Sequence, residues 1–150
     1  MKKILYLCVI IFTLAIVSIF YDIFKSNEIE LYDTSGNKYT NLSFDNGKHL
    51  FIYFSIGCSS CGELIKNIEA KNELKKKYKI WYVTRHPNMQ NIFYFFRRYK
   101  LQYPKSILID TDNSVERFFK LDFEIVYPTV CIYDKKAKIK KVVEYDEILK

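Results

Sequence analysis

An α/β domain, a mixed central sheet flanked by helices, is the fold class this sequence predicts, and three observations predict it. His49 to Ser55 is a nearly continuous run of strand formers, the kind buried on both faces in a parallel sheet. Around it, strand-like and helical patterns follow in the order β-β-β-α-β-α-β-(short α)-β-β. Length and composition agree: 150 residues can bury a core without disulfide staples, and 13 Tyr and 12 Phe against 4 Gly and 3 Pro argue against disorder. No internal repeat or low-complexity tract interrupts the chain beyond short lysine clusters.

The N-terminus reads differently from the rest. Met1-Lys2-Lys3 leads into an apolar and aromatic run from Ile4 to Tyr21, with only Thr13 and Ser18 as mild interruptions. About 18–20 such residues span a bilayer, and the two lysines ahead of them predict a cytoplasmic N-terminus. A cleaved signal has a shorter apolar region and a small-x-small cleavage site, which Val17 to Tyr21 does not offer. Residues 1–24 are therefore expected to be one N-terminal transmembrane helix that serves as an anchor, with a cleaved signal sequence as the alternative. Residues 25–28 read as a linker and residues 29–150 as the folded domain, on the extracytoplasmic (periplasmic or extracellular) side in either case. Cys8 lacks the small neighbours of a lipidation site and reads as one more apolar membrane residue.

In the domain, Glu30 to Asp33 and Lys38 to Leu42 flank the turn cluster Thr34-Ser35-Gly36-Asn37 as two short strands. After the His49–Ser55 strand, Leu64, Ile65, Ile68, Leu74 and Tyr78 form an imperfect helical stripe that ends near Lys75-Lys76-Lys77. Ile80 to Thr84 is the next strand. Arg85-His86-Pro87-Asn88 breaks the chain, and Met89, Ile92, Phe93, Phe96 and Tyr99 mark an amphipathic helix. Lys105 to Asp110 reads as a strand, Asn113-Ser114-Val115-Glu116 as the start of a capped short helix, and Val126 to Tyr133 as a strand entered through Pro128. A hairpin turn at 134–138, a return strand from Ile139 to Glu144 and a short helical tail complete the chain.

The chemistry concentrates in Gly57-Cys58-Ser59-Ser60-Cys61, where strand becomes helix. Cys58 falls at the helix N-terminus, where unpaired N–H groups and the positive dipole end stabilise a thiolate. Cys61 lies one turn on and can close a small ring onto Cys58. Since the thiolate is the attacking species, and such contexts lower a cysteine pKa from ~8.5 to roughly 3.5–7.5, the pair reads as a reversible dithiol/disulfide. A C-x-x-C also occurs in zinc ribbons, which need four ligands; Cys131, His49 and His86 supply no second closely spaced pair. A metal site and a purely structural disulfide remain as the alternatives.

With these residues in view, the chain from about Ile29 onward resembles the thioredoxin-fold redoxins of the membrane-anchored TlpA/ResA-like group, which are thiol–disulfide oxidoreductases. Three segments carry the likeness: the Gly36 turn leading to the strand before Cys58 and Cys61, the stretch Tyr103 to Phe119 with Asp110 and Asp112, and Tyr127-Pro128-Thr129 entering a strand. The resemblance implies that Cys58 is the exposed nucleophile that forms a mixed disulfide and that Cys61 is the buried resolving thiol. It implies that Pro128 is cis, lying against the disulfide, with Gly57, Ser59, Ser60, Tyr127 and Thr129 around the substrate groove. It also implies no cofactor beyond the Cys58–Cys61 disulfide, and as partners protein thiols and disulfides outside the cytoplasm together with a membrane-embedded thiol electron donor. The lesser alternative for Pro128 is an ordinary trans strand-entry residue, and Tyr127 reads equally as a surface aromatic.

Several positions depart from the group's pattern. Gly57 stands where Trp is usual, Ser59-Ser60 where proline is common, and Leu64 where many relatives carry a proton-accepting glutamate; Glu63 is one residue early. The strand before the motif, Phe51 to Phe54, also lacks the buried acid of thioredoxins. Cys131 reads as an inert core thiol, His49 as strand-edge or hairpin surface, and His86 as part of the loop before Pro87. The formal charge of +7 falls mostly on helix ends and the hairpin from Lys135 to Lys141, a solvated face rather than a nucleic-acid site. The alternatives to a disulfide reductase are a peroxiredoxin-like peroxide reductase, for which Ser55-x-x-Cys58 is a loose match, and a copper or zinc chaperone or other binding module on the same fold.

Overall fold

The computed structural model describes residues 2–26, 28–121 and 126–149, and within the N-terminal helix the side chains of residues 6 and 8–21. Met1, Asn27, residues 122–125, Lys150 and the side chains of Lys2 and Lys3 lie outside the described residues, so the basic pair invoked for topology and part of the expected 25–28 linker do too. Helix α1 covers Lys2–Ser26. Among the described residues, no helix is long and apolar enough to cross a membrane; the continuous run with described side chains, 8–21, is shorter than the ~20 residues a spanning helix needs.

The domain is built on one sheet of seven described strands in the order β2-β1-β5-β4-β3-β6-β7. Its middle is parallel: β3 (Lys48–Tyr53) pairs with β4 (Lys79–Thr84), and β4 with β5 (Ile107–Ile109). Antiparallel strands complete both sides. The hairpin of β1 (Glu30–Asp33) and β2 (Lys38–Thr40) joins β5, while β6 (Thr129–Asp134) lies against β3 and carries β7 (Ile139–Val143). The first hairpin turns at Gly36, whose φ of 84° is a conformation glycine adopts without strain.

Side-chain alternation along β3 divides the core. Leu50, Ile52 and Phe54 meet the helices on one face: α2 (Ser59–Ala70), α3 (Asn72–Lys77), α4 (Met89–Arg98) and α6 (Tyr145–Leu149). Phe51 and Tyr53 point to the other face, against α5 (Ser114–Phe119) and the aromatic side chains of Phe44, Trp81 and Tyr133. The burial of β3 from His49 to Tyr53 follows from helices on both faces of a parallel centre, which is why its sequence shows no polar alternation.

The expected α/β order holds, with local differences: β6 starts at Thr129 rather than Val126, β2 ends at Thr40 and β3 at Tyr53. The helical stripe after the cysteines is two helices, because Lys71 is extended (φ −95°, ψ 96°) and ends α2 with its N–H on the Ile68 carbonyl. The strand expected from Lys105 is only Ile107–Ile109. Asn113 does not cap α5: it is left-handed and makes no side-chain cap bond, and the Asp110 carboxylate accepts the Ser114 and Val115 N–H groups instead.

Candidate active site

Cys58 and Cys61 lie at the C-terminal end of the parallel strands, where β3 hands over to α2. Phe54 still bonds to β4, through its N–H to the Val83 carbonyl at 2.8 Å, before a turn closed by the Cys58 N–H on the Ser55 carbonyl. Cys58 is the N-cap residue of α2, and its Sγ accepts the Cys61 N–H at 3.1 Å. The Ser60 Oγ lies 3.3 Å from the same sulfur. An N–H donor, a hydroxyl and the helix dipole thus converge on Cys58 Sγ, the arrangement that stabilises negative charge there when the bond is open.

The two cysteines form a disulfide, with Cα atoms 5.3 Å apart. Cys58 is half-buried, whereas Cys61, in the first turn of α2, is wholly buried among Leu64, Ile65 and the rest of that cluster. One sulfur is open to a partner and the other is shielded. Gly57 is exposed, and a Cβ there would meet no atom within 4 Å, so neither backbone nor packing demands glycine at that position. Leu64 is packed in the core, and Glu63 is exposed.

Across from the helix, the Tyr127–Pro128 peptide is cis. Tyr127, Pro128 and Thr129 form one wall of a groove of about 480 Å³ whose other walls include Ser60, Val143 and Tyr145. Thr129 ties this turn together, its hydroxyl donating to the Val126 carbonyl at 2.6 Å. The fold therefore brings the two separated sequence motifs, 57–61 and 127–129, to one groove. Ser59 is exposed in the first turn of α2 and is not among the groove-lining residues.

Behind that wall, on the opposite face of the sheet from Cys61, lies a polar network that sequence reasoning did not single out. The Tyr53 hydroxyl donates to Asp110 Oδ2 at 2.8 Å and accepts from Arg85 Nε at 3.0 Å, and Arg85 pairs with Glu116. Burial, followed by the neighbouring Asp110 charge, pushes the Tyr53 hydroxyl well above the usual tyrosine range. The only signal in the sequence is a hydroxyl-bearing ring in a strand that is otherwise purely apolar from Leu50 to Phe54.

The other candidates are placed apart from the groove. Cys131 is buried in mid-strand opposite Phe51, and burial pushes its thiol up to about 12. His49 is not at a surface edge as expected; it is fully buried among Phe44, Trp81 and Tyr133, with Nδ1 accepting the Trp81 indole N–H at 3.0 Å. His86 bonds to its chain neighbours: its N–H donates to Thr84 Oγ1, its ring accepts the Asn88 N–H, and it lies 3.5 Å from the Asn91 side chain. Among the described residues, no group of three or more His, Cys, Asp or Glu side chains is placed to hold a metal ion.

No family model matches the chain, and no curated protein matches it significantly. Solved structures do match. The thioredoxin domain of a thiol–disulfide oxidoreductase from Bacteroides vulgatus aligns at 18% identity with a TM-score of 0.56, covering 82% of this chain and 91% of that one. A thiol:disulfide interchange protein from a Bacteroides species aligns at 18% identity and TM-score 0.61, covering 81% of each chain. An exposed lipoprotein thioredoxin from Streptococcus pneumoniae aligns at 20% identity and TM-score 0.57, covering 81% of this chain and 95% of that one. The mixed sheet with flanking helices is thus a thioredoxin-like fold.

Proposed function

We propose that the protein is a membrane-anchored thiol–disulfide oxidoreductase that reduces protein disulfides outside the cytoplasm through the Cys58/Cys61 dithiol. The observation that carries this reading is the asymmetry of the pair. A half-exposed sulfur at a helix N-terminus is bonded to a wholly buried one, beside a groove walled by a cis-proline turn. In the reduced protein, the Cys58 thiolate attacks one sulfur of a substrate disulfide. The substrate S–S bond breaks, a Cys58–substrate bond forms, and the departing substrate thiolate takes up a proton. The Cys61 thiolate then attacks Cys58 Sγ, which releases the second substrate thiol and leaves the Cys58–Cys61 disulfide. Two electrons pass to the substrate, and a thiol donor must return them for another cycle; a membrane-embedded donor suits a tethered enzyme.

The tether is α1, with residues 1–24 as anchor, 25–28 as linker and 29–150 as the catalytic domain. Its support is a helix of 25 residues whose described side chains include exposed Val9, Ile11, Phe12, Leu14, Val17 and Phe20. A helix apolar on all sides needs an apolar surrounding. Gly57, Ser59, Ser60, Tyr127, Pro128 and Thr129 are assigned to substrate contact around the sulfurs.

Trapping of the mixed disulfide tests the reading. In the full-length chain, Cys61→Ser is expected to accumulate a covalent adduct with insulin that dithiothreitol releases, and Cys58→Ser is expected to form none. An adduct that persists without Cys58, or none with either variant, would overturn it.

A further inference from the structure

We propose that Arg85, Tyr53 and Asp110 form a strut that holds Tyr127, and with it the Pro128 turn, in place as a wall of the substrate groove. They are then positioning residues for protein substrates. The proposal rests on the oxidoreductase reading above, and it extends that reading to side chains on the far face of the sheet from the disulfide.

Tyr53 is the last residue of β3, fully buried, and in register with Thr129 on β6. A phenylalanine would fill the same space without needing hydrogen-bond partners. The hydroxyl instead adds a side-chain link among three elements: β3, the segment after β4 through Arg85, and the segment after β5 through Asp110. Asp110 cannot swing away, because its carboxylate also accepts the Ser114 N–H at 2.8 Å and the Val115 N–H at 3.2 Å. Arg85 is fixed from the other side by Glu116 on α5, with its guanidinium 5.9 Å from the centre of the Tyr53 ring. The Tyr53 hydroxyl is thereby held by two partners that are themselves fixed.

The ring that rests on that of Tyr53 is Tyr127. The two centroids are 5.7 Å apart with planes inclined by 37°. Tyr127 is half-buried, packs against both core clusters and lines the groove together with Ser60 and Pro128. A polypeptide lying in that groove meets a wall whose position is set from behind. Neither Arg85, Tyr53 nor Asp110 bonds to a cysteine sulfur, so the strut acts on docking and leaves thiol chemistry alone. A small disulfide that reaches Cys58 without filling the groove does not need the wall.

The full-length protein with Tyr53→Phe, Arg85→Ala or both, recycled by dithiothreitol, tests this with insulin and hydroxyethyl disulfide as substrates. Each single variant is expected to raise KM for insulin by roughly 3- to 10-fold, the scale of one hydrogen bond. The insulin kcat, the rate with hydroxyethyl disulfide and the redox potential are expected to stay at wild-type values. The double variant should be no worse than the poorer single one, since both cut one chain of bonds. An unchanged KM, equal losses on both substrates, or additive effects would overturn the strut. Arg85 is on the surface side of the network, so Arg85→Ala keeps the test open if Tyr53→Phe folds poorly. A wild-type protein that turns over neither substrate removes the oxidoreductase reading itself, and the strut with it.

Discussion

The two ends of β3 solve the same problem with different consequences. On one face of the strand, a buried polar side chain stands near each end, His49 and Tyr53, four residues apart with Phe51 between them. At the first end, Trp81 donates to His49 Nδ1, and His49 Nε2 lies 3.2 Å from the Asp45 carbonyl oxygen. At the second, Asp110 and Arg85 satisfy the Tyr53 hydroxyl. Both ends tie neighbouring segments to the central strand, and in both a buried polar atom is satisfied as burial requires. Only the Tyr53 end abuts the Tyr127–Pro128 turn. The lesson is that a buried hydrogen bond is not functional in itself; what it braces decides.

The largest effect that can break this comparison is expected from Asp110→Ala. It strands the Tyr53 hydroxyl and two main-chain N–H groups, so chemical denaturation should show a loss of about 3 kcal/mol or more, accompanied by a raised KM for insulin. Next comes His49→Phe, which keeps a ring in the aromatic cage and leaves the Trp81 N–H without its acceptor. About 1–2 kcal/mol of stability should be lost with KM unchanged, and a raised KM would erase the distinction between the ends.

The smallest effect at neutral pH lies between them, at Cys131 opposite Phe51, and it grows only in alkali. Burial raises its folded-state pKa from 9.0 to about 12. The neutral thiol's contribution is fully present below about pH 9 and is lost as pH rises towards about 12, because the unfolded chain releases the proton first. Denaturation at a series of alkaline pH values should therefore fall less steeply in Cys131→Ala, by up to about 1.4 kcal/mol per pH unit. Parallel slopes would show that this thiol is not shielded.

The sequence exposes the first of these two networks no better than the second, and the reason is distance along the chain. Cys58 and Cys61 are legible because strand, turn and helix N-terminus are local, and the Tyr127-Pro128-Thr129 entry is a local motif as well. The parallel centre is legible because β3 and β4 are unbroken apolar runs. Tyr53 and Asp110, in contrast, are 57 residues apart, and nothing near either one announces the other. His49 reads as an edge residue because its cage is assembled from Phe44, Trp81 and Tyr133, which three separate segments supply. The break at Lys71 lacks a glycine or proline to mark it, and the true cap of α5, Asp110, lies outside the usual capping window.

The most direct test of the central claim is a redox equilibrium titration of the full-length protein in glutathione and dithiothreitol buffers. The account predicts one reversible two-electron couple, with a potential nearer about −270 than about −120 mV, that requires both Cys58 and Cys61 and survives Cys131→Ala. A couple that disappears with Cys131, or no couple at all, would contradict it.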